Sequence, residues 1–267
     1  MFISEYIHYI YMNLEQLYRT ATPIGNGAHI FVPKDWVGLR IKLVKQSTKE
    51  QIIELLSKHL EKLKGIYLFG SYARGEQTNN SDIDILAITS EKINLAEKNE
   101  QINLILLQEK DIKKAIEISP ILMHSALNEA VPILNAELLN ILKIRYKISN
   151  KEIKGYLNET ENVLEITKSL LEKSKNLSGV AYSLILRLRG LYLINCLKSK
   201  KNYRIIDFKK HLSEKTNLSI KQVEEIYEVY RLVKTDKKTK KNVKEESLQS
   251  LWTLLKSMLE NEKKKTS

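Results

Sequence analysis

Cysteine is almost absent. Cys196 is the only one in 267 residues, so no internal disulfide framework can staple this chain, and a reducing compartment suits it. Its setting, LYLINCLK, is apolar and has no His or Asp neighbour, so it reads as a small buried hydrophobe rather than a reactive thiol. Glycine and proline are also scarce, at nine and four. That is too few for a turn-rich sandwich or barrel, and the abundant Leu, Ile, Lys and Glu favour helices instead. The opening MFISEYIHYIYM is apolar, but it carries Glu5 and His8 and falls well short of the ~20 residues of a membrane span. It also lacks the basic start and small-residue cleavage site of a signal peptide. These absences predict a cytoplasmic protein with no membrane partner; whether the chain starts at Met1 or Met12 stays open.

What the sequence has in excess is positive charge, +12 in all. Much of it lies late, at Lys234, Lys237, Lys238, Lys240, Lys241 and Lys244 and again at Lys263 to Lys265. Such runs are solvated linkers or helix ends, or they attract polyanions such as nucleic acid or nucleotide, and charge alone does not choose.

The length allows one large or two modest domains with a smaller module, and three textures divide the chain. Residues 1–46 contain Thr22 to Lys45, where three glycines and two prolines interrupt short β-branched runs. This reads as a β-hairpin module with turns at Gly25-Asn26-Gly27 and near Asp35 to Gly38. Residues 47–148 open on a capping box, Ser47 with Glu50. Ile52, Ile53, Leu55, Leu56, Leu60 and Leu63 then recur at helical spacing until Gly65. An α/β unit follows: strand Ile66 to Phe69, a short helix from Ser71, strands Ile83 to Ile88 and Ile102 to Leu107, a helix from about Asp111, and an apolar run Val131 to Leu134 to close the sheet. Residues 149–267 carry helical stripes only, at Val163 to Leu171, Tyr182 to Leu197, Ile220 to Val233 and Leu248 to Leu259, which call for a bundle. The fold class is therefore α/β (α+β): a small mixed-sheet domain, then an all-α helical bundle, with a β-hairpin module in front.

The chemistry concentrates in LFGSYARGEQTNNSDIDILAI, Leu68 to Ile88. Asp82 and Asp84, two apart on a strand, share one face while Ile83 and Ile85 take the other. Like charges so close repel unless a cation lies between them, and hard oxygen donors suit Mg²⁺ or Mn²⁺. By itself such a pair is as often a solvated strand end. Gly70 and Ser71 change that weighting. A Gly at a strand's end lets the backbone approach a ligand, and a helix starting at Ser71 aims N–H groups at phosphate, with Arg74 one turn on. A triphosphate held there presents its α-phosphorus to metals on Asp82 and Asp84, as in-line nucleotidyl transfer requires.

This segment resembles the signature of the DNA polymerase β-like nucleotidyltransferase superfamily: Gly-Ser, a loop, then Asp-hydrophobic-Asp-hydrophobic, here with the loop Tyr72 to Ser81. GSYARGE...SDIDILA is especially similar to the minimal nucleotidyltransferases of prokaryotes, including those paired with HEPN helical proteins. The resemblance covers roughly Gly65 to Leu134. It implies that Gly70 and Ser71 bind nucleotide phosphates, with Arg74 helping to neutralise them, and that Asp82 and Asp84 bind the metal and carry catalysis. It also implies an NTP substrate, ATP by default. Active members usually carry a third carboxylate on a later strand. Here that strand is QINLILL and the matching position holds Asn103; Glu100 or Glu109 takes its place if the register differs.

The flanks resemble two further modules. TPIGNGAHIFVPKDWVG, through Gly27, Ile30, Pro33 and Trp36, is similar to small AbrB-like swapped hairpins, which implies a homodimer and, through Lys34, Arg40 and Lys42, possible DNA contact. A hairpin this small cannot bury a core alone, which also favours a dimer. The C-terminal helices look like the HEPN-like or substrate-binding domains that accompany these enzymes. The nearest match to a HEPN ribonuclease motif, Arg204 to His211, has an apolar filling that argues against ribonuclease activity. Arg187 and Arg189, set in an apolar helix, either face the nucleotide cleft or snorkel at the bundle edge. Two functions follow: a metal-dependent transferase moving a nucleoside monophosphate from an NTP to an unidentified hydroxyl, or a nucleotide-binding, DNA-associated regulator that turns over weakly or not at all.

Overall fold

The computed structural model describes residues 17, 19, 21–78, 81–95, 101–173, 177–235 and 243–266. The opening MFISEYIHYIYM, Glu100 and Lys237 to Lys241 lie outside them. The chain forms two compact units, Met1–Gln46 and Ser47–Ser267.

In the first unit, β1 (Thr22–Ile24) and β2 (Gly27–His29) pair antiparallel. The turn between them has Gly25 at φ 52°, a conformation that costs glycine little. The turn expected near Asp35 is a 3-10 turn over Lys34–Trp36, in which Trp36 N–H donates to the Pro33 carbonyl. Beyond it Leu39, Ile41, Leu43 and Val44 lie exposed and form no strand.

The second unit starts as its sequence dictates. Ser47 Oγ accepts from Glu50 N–H at 3.3 Å and the Glu50 carboxylate accepts from Ser47 N–H at 2.6 Å, closing the capping box on α1 (Thr48–Leu56). The helix does not run on to Gly65. A 3-10 stretch, Ser57–Lys62, takes over with Leu60 half exposed, and β3 (Leu63–Phe69) already contains Gly65. The glycine has a packing reason, because a Cβ there would lie 2.1 Å from Tyr67 Oη. With α2 (Gly70–Ala73), β4 (Ile83–Thr89), β5 (Ile102–Gln108), α3 (Ile112–Ile118), α4 (Pro120–Glu129) and β6 (Val131–Leu134), a mixed sheet of order β5-β4-β3-β6 is complete. β4 is antiparallel to β3 and parallel to β5, and β6 closes the edge beside β3.

Strand parity sorts the core into two layers. Ile66, Ile83, Ile85 and Ala87 pack against Ile52 and Leu56 of α1. Tyr67, Phe69, Leu86 and Ile88 face α3, α4 and α5 (Ala136–Arg145), the last capped by Asn135. Asp84 shares the parity of Leu86 and Ile88, so it stands on the face covered by α3, α4 and α5.

Five helices follow: α6 (Asn150–Lys173), α7 (Ser178–Lys198), α8 (Ile205–Thr216), α9 (Ile220–Lys234) and α10 (Glu245–Thr266). The stripes read from sequence locate four of them. α8 was hidden in the Arg204 to His211 segment; Phe208 and Leu212 are fully buried, while Arg204 is exposed. α7 is long and apolar enough to cross a membrane by length and composition, yet over half of it is buried as the central rod of the bundle. Trp252 locks α10 to α6 by donating Nε1–H to the Leu164 carbonyl at 3.0 Å.

Candidate active site

Two strand ends and one helical turn build the site. β3 ends in Phe69, and the chain reverses at once through Gly70, whose φ is 73°. Register sets Phe69 opposite Asp84, so the reversal passes over that carboxylate. A Cβ on Gly70 would lie 2.1 Å from Asp84 Oδ2, closer than any side chain can approach. Gly70 is thus required twice, for backbone angle and for space. Ser71 follows, half-buried, and the loop is tied back by Glu76 N–H donating to the Ser71 carbonyl at 2.9 Å and by Thr78 N–H donating to Ser81 Oγ at 2.9 Å, just ahead of Asp82.

Asp82 and Asp84 are both half-buried. Burial pushes the Asp84 carboxyl above the usual aspartate range, and the charge of Asp82 adds to this; the Asn103 amide and the charges of Lys234 and Arg189 pull the other way. The parallel β4–β5 register sets Asn103 directly opposite Asp84, and its Nδ2 donates to Asp84 Oδ1 at 2.9 Å. The position expected for a third carboxylate therefore holds an amide. Glu109 follows the far end of β5, about 20 Å along the strand at ~3.3 Å per residue, and pairs with Lys64. Among the described residues no three His, Cys, Asp or Glu side chains converge to hold a metal.

Arg74 does not point freely at a ligand. Its Nε donates to Glu76 at 2.8 Å and its Nη1 pairs with Glu129, while the guanidinium lies over the Tyr203 ring, 5.1 Å from its centroid. Glu129 escaped the sequence reading because its partners lie far away along the chain. One local signal was legible, a carboxylate at the C-terminal end of an apolar helix, where the helix dipole disfavours negative charge.

The bundle completes the surroundings. Glu76 accepts from Ile205 N–H, at the start of α8, at 2.9 Å. Arg231 donates to Thr78 Oγ1 at 3.3 Å. Of the two arginines in α7, Arg187 pairs with Glu159 near the bundle surface. Arg189 is the inward one: it lies over Tyr203, 5.2 Å from the ring centroid, with its Nε buried. The structure does not bring His211 into this group; it packs beside Tyr192 and lines a separate cavity of about 250 Å³ with Lys215 and Met258.

The stretch that carries this site matches known proteins. Residues 50–139 match the family model described as Polymerase beta, Nucleotidyltransferase. A Methanocaldococcus jannaschii protein named Putative protein adenylyltransferase MJ0435 is 39% identical over 89 residues, 32% of this chain and 94% of the relative. Protein adenylyltransferase MntA of Shewanella oneidensis is 44% identical over 50 residues, 19% of this chain and 36% of its own. Spectinomycin adenyltransferase AAD(9) from Enterococcus faecialis, solved with ATP and spectinomycin, aligns over 79% of this chain and 97% of its own at 14% identity and a TM-score of 0.46. The turn of Gly70 over Asp84 and the match to nearly the whole of the archaeal relative lead to one assignment: this chain belongs to the polymerase beta nucleotidyltransferase family, enzymes that move a nucleoside monophosphate from a nucleotide.

Proposed function

We propose that this chain transfers a nucleoside monophosphate from an NTP, ATP in the first instance, to a hydroxyl on an acceptor, and that the transfer depends on a divalent cation. One observation carries the reading: the Gly70–Ser71 turn lies against the Asp84 carboxylate, so a phosphate at the turn and a cation on the acids would be immediate neighbours. The donor set fits Mg²⁺ or Mn²⁺, which are bound by one or two carboxylates together with substrate phosphates. Asp82 and Asp84 would hold the cation, which when bound offsets the charge on the reacting phosphate oxygens. Gly70 leaves room for the phosphates, and Ser71 offers them its N–H and hydroxyl. Arg74, whose charge is matched by Glu76 and Glu129, braces the turn from behind. The names of the relatives favour a protein hydroxyl as acceptor.

The test is transfer of label from α-labelled ATP with Mg²⁺, offered separately a protein extract, RNA and an aminoglycoside. Label is expected on one acceptor and is expected to vanish on addition of EDTA. No transfer from any of the four NTPs would overturn the reading.

A second reading, a nucleotide-binding regulator with little turnover, is favoured by Asn103 opposite Asp84. An amide cannot take a proton from the acceptor, and a general base is worth about 10²–10⁴-fold. Under this reading Asn103→Asp is expected to raise kcat by at least ~10²-fold, measured in the same assay. The exposed Leu39, Ile41, Leu43 and Val44 support self-association through the first unit. Lys34, Arg40 and Lys42 supply charge for DNA, and a steep fall of DNA affinity with salt would support that role. A reducing cytoplasm suits the lone, buried Cys196.

A further inference from the structure

The phosphate turn is held from behind by a side chain 59 positions away: Gly70 N–H donates to Glu129 Oε1 at 3.3 Å. The other oxygen of the same carboxylate, Oε2, pairs with Arg74, and both side chains are only 11% exposed. Arg74 is fixed in turn by Glu76 and by the Tyr203 ring, and Glu76 by the first N–H of α8. Glu129 therefore cannot swing away without stripping a buried guanidinium of a partner, which is costly. The turn's own backbone bonds, Arg74 N–H to the Gly70 carbonyl at 3.2 Å and Glu76 N–H to the Ser71 carbonyl at 2.9 Å, hold its carbonyls and leave the N–H of Gly70 to Glu129. α2 is one helical turn long, and Gly70, at φ 73°, is the most permissive of residues. The hydrogen bond from Gly70 N–H to Glu129 therefore ties the start of this turn to α4.

We propose that Glu129 is a positioning residue for nucleotide transfer: its reach to Gly70 N–H, more than its charge, sets where the N–H and hydroxyl of Ser71 meet a triphosphate. This rests on the nucleotide reading above. The division of labour within the carboxylate supports it, since the ion pair with Arg74 occupies Oε2 and leaves Oε1 for the turn. It also follows that Gly70 N–H is committed within the protein, so the phosphate-facing donors begin at Ser71.

Two conservative variants separate reach from charge. Glu129→Asp keeps the charge for Arg74 but is shorter by one carbon–carbon bond, ~1.5 Å, and loses contact with Gly70. Glu129→Gln keeps the reach and an acceptor oxygen but loses the charge. In the Mg-ATP transfer assay, Glu129→Asp is expected to raise KM for ATP about tenfold or more, the worth of one charge-assisted hydrogen bond. Glu129→Gln is expected to leave KM within about threefold of the parent, while its melting temperature falls further than that of Glu129→Asp. Equal KM values in the two variants, or a larger rise in Glu129→Gln than in Glu129→Asp, would overturn the inference, because a purely ionic role makes loss of charge cost more than loss of reach. A parent protein that neither binds nor turns over ATP would remove the nucleotide reading itself. Parent turnover with an unchanged Glu129→Asp would remove only the role of Glu129.

Discussion

Asp84→Asn is expected to abolish transfer and, in the same molecule, to raise the melting temperature of the metal-free protein. The first effect follows from the proposed cation site. Losing one of two carboxylates forfeits several kcal/mol of charge stabilisation, or on the order of 10³-fold in rate. The second follows from burial, which holds the Asp84 carboxyl above its ordinary range, with Asp82 adding repulsion. An acid whose native pKa is raised binds more protons folded than unfolded. Stability is then lost as pH rises from the ordinary aspartate value through the raised native one, and the deficit persists above it. Asparagine carries no such deficit, and it retains an oxygen for the Asn103 amide. Thermal melts in EDTA should show the variant above the parent at pH 8, with the gap closing toward pH 4. A variant that melts below the parent at pH 8, or one that retains transfer, would contradict this account.

Gly70→Ala is expected to reduce kcat/KM for the nucleotide by about 10²-fold, the penalty for misplacing reacting groups by ~1 Å. Two costs coincide at this position. At φ 73° an L-residue is strained by about 1–3 kcal/mol. The new methyl would also lie 2.1 Å from Asp84 Oδ2. Relieving the clash has its own cost: moving the turn away from Asp84 would separate a bound phosphate from the proposed cation site, and moving Asp84 would break its bond to Asn103. By contrast, Gly25→Ala has open space at its Cβ and should leave transfer unchanged despite its own positive φ. Steady-state kinetics on both variants make the comparison, and a Gly70→Ala protein within threefold of the parent would refute it.

The parts legible in the sequence are those written in local periodicity. The alternation of Ile83, Asp84 and Ile85, the Ser47–Glu50 capping box and the four helical stripes of the bundle each rest on residues a few positions apart, and each corresponds to an element of the fold, although Asp82 lies one residue ahead of β4 and not within it. Asn103 belongs with them, since β5 is regular enough to count along, and the register sets that amide beside Asp84. What stayed hidden depends on distant partners. Arg74 reads as a phosphate ligand one turn after Ser71, and only the folded chain reveals that Glu129, 55 positions on, occupies its guanidinium. Nor does the repeat through Leu60 and Leu63 betray the end of α1, because helical spacing persists across the 3-10 stretch while burial does not. In α8 the apolar stripe is short, and only the folded chain reveals that Phe208, between Arg204 and His211, anchors the helix in the core.

The pairing of β3 with β6 bears on how the protein is made. β3 gains its first partner, β4, almost at once, but its other edge waits for β6, whose arrival also lets Tyr67 Oη donate to the Asn135 carbonyl, 68 residues along the chain. At synthesis rates of about 5–20 residues per second, that edge stays open on the ribosome for several seconds. During that time β3 presents unpaired backbone groups amid apolar side chains, the condition under which strands recruit neighbouring chains. Fragments that stop between Thr89 and Val131 keep that edge open, so one that extends past Leu134 is expected to aggregate less.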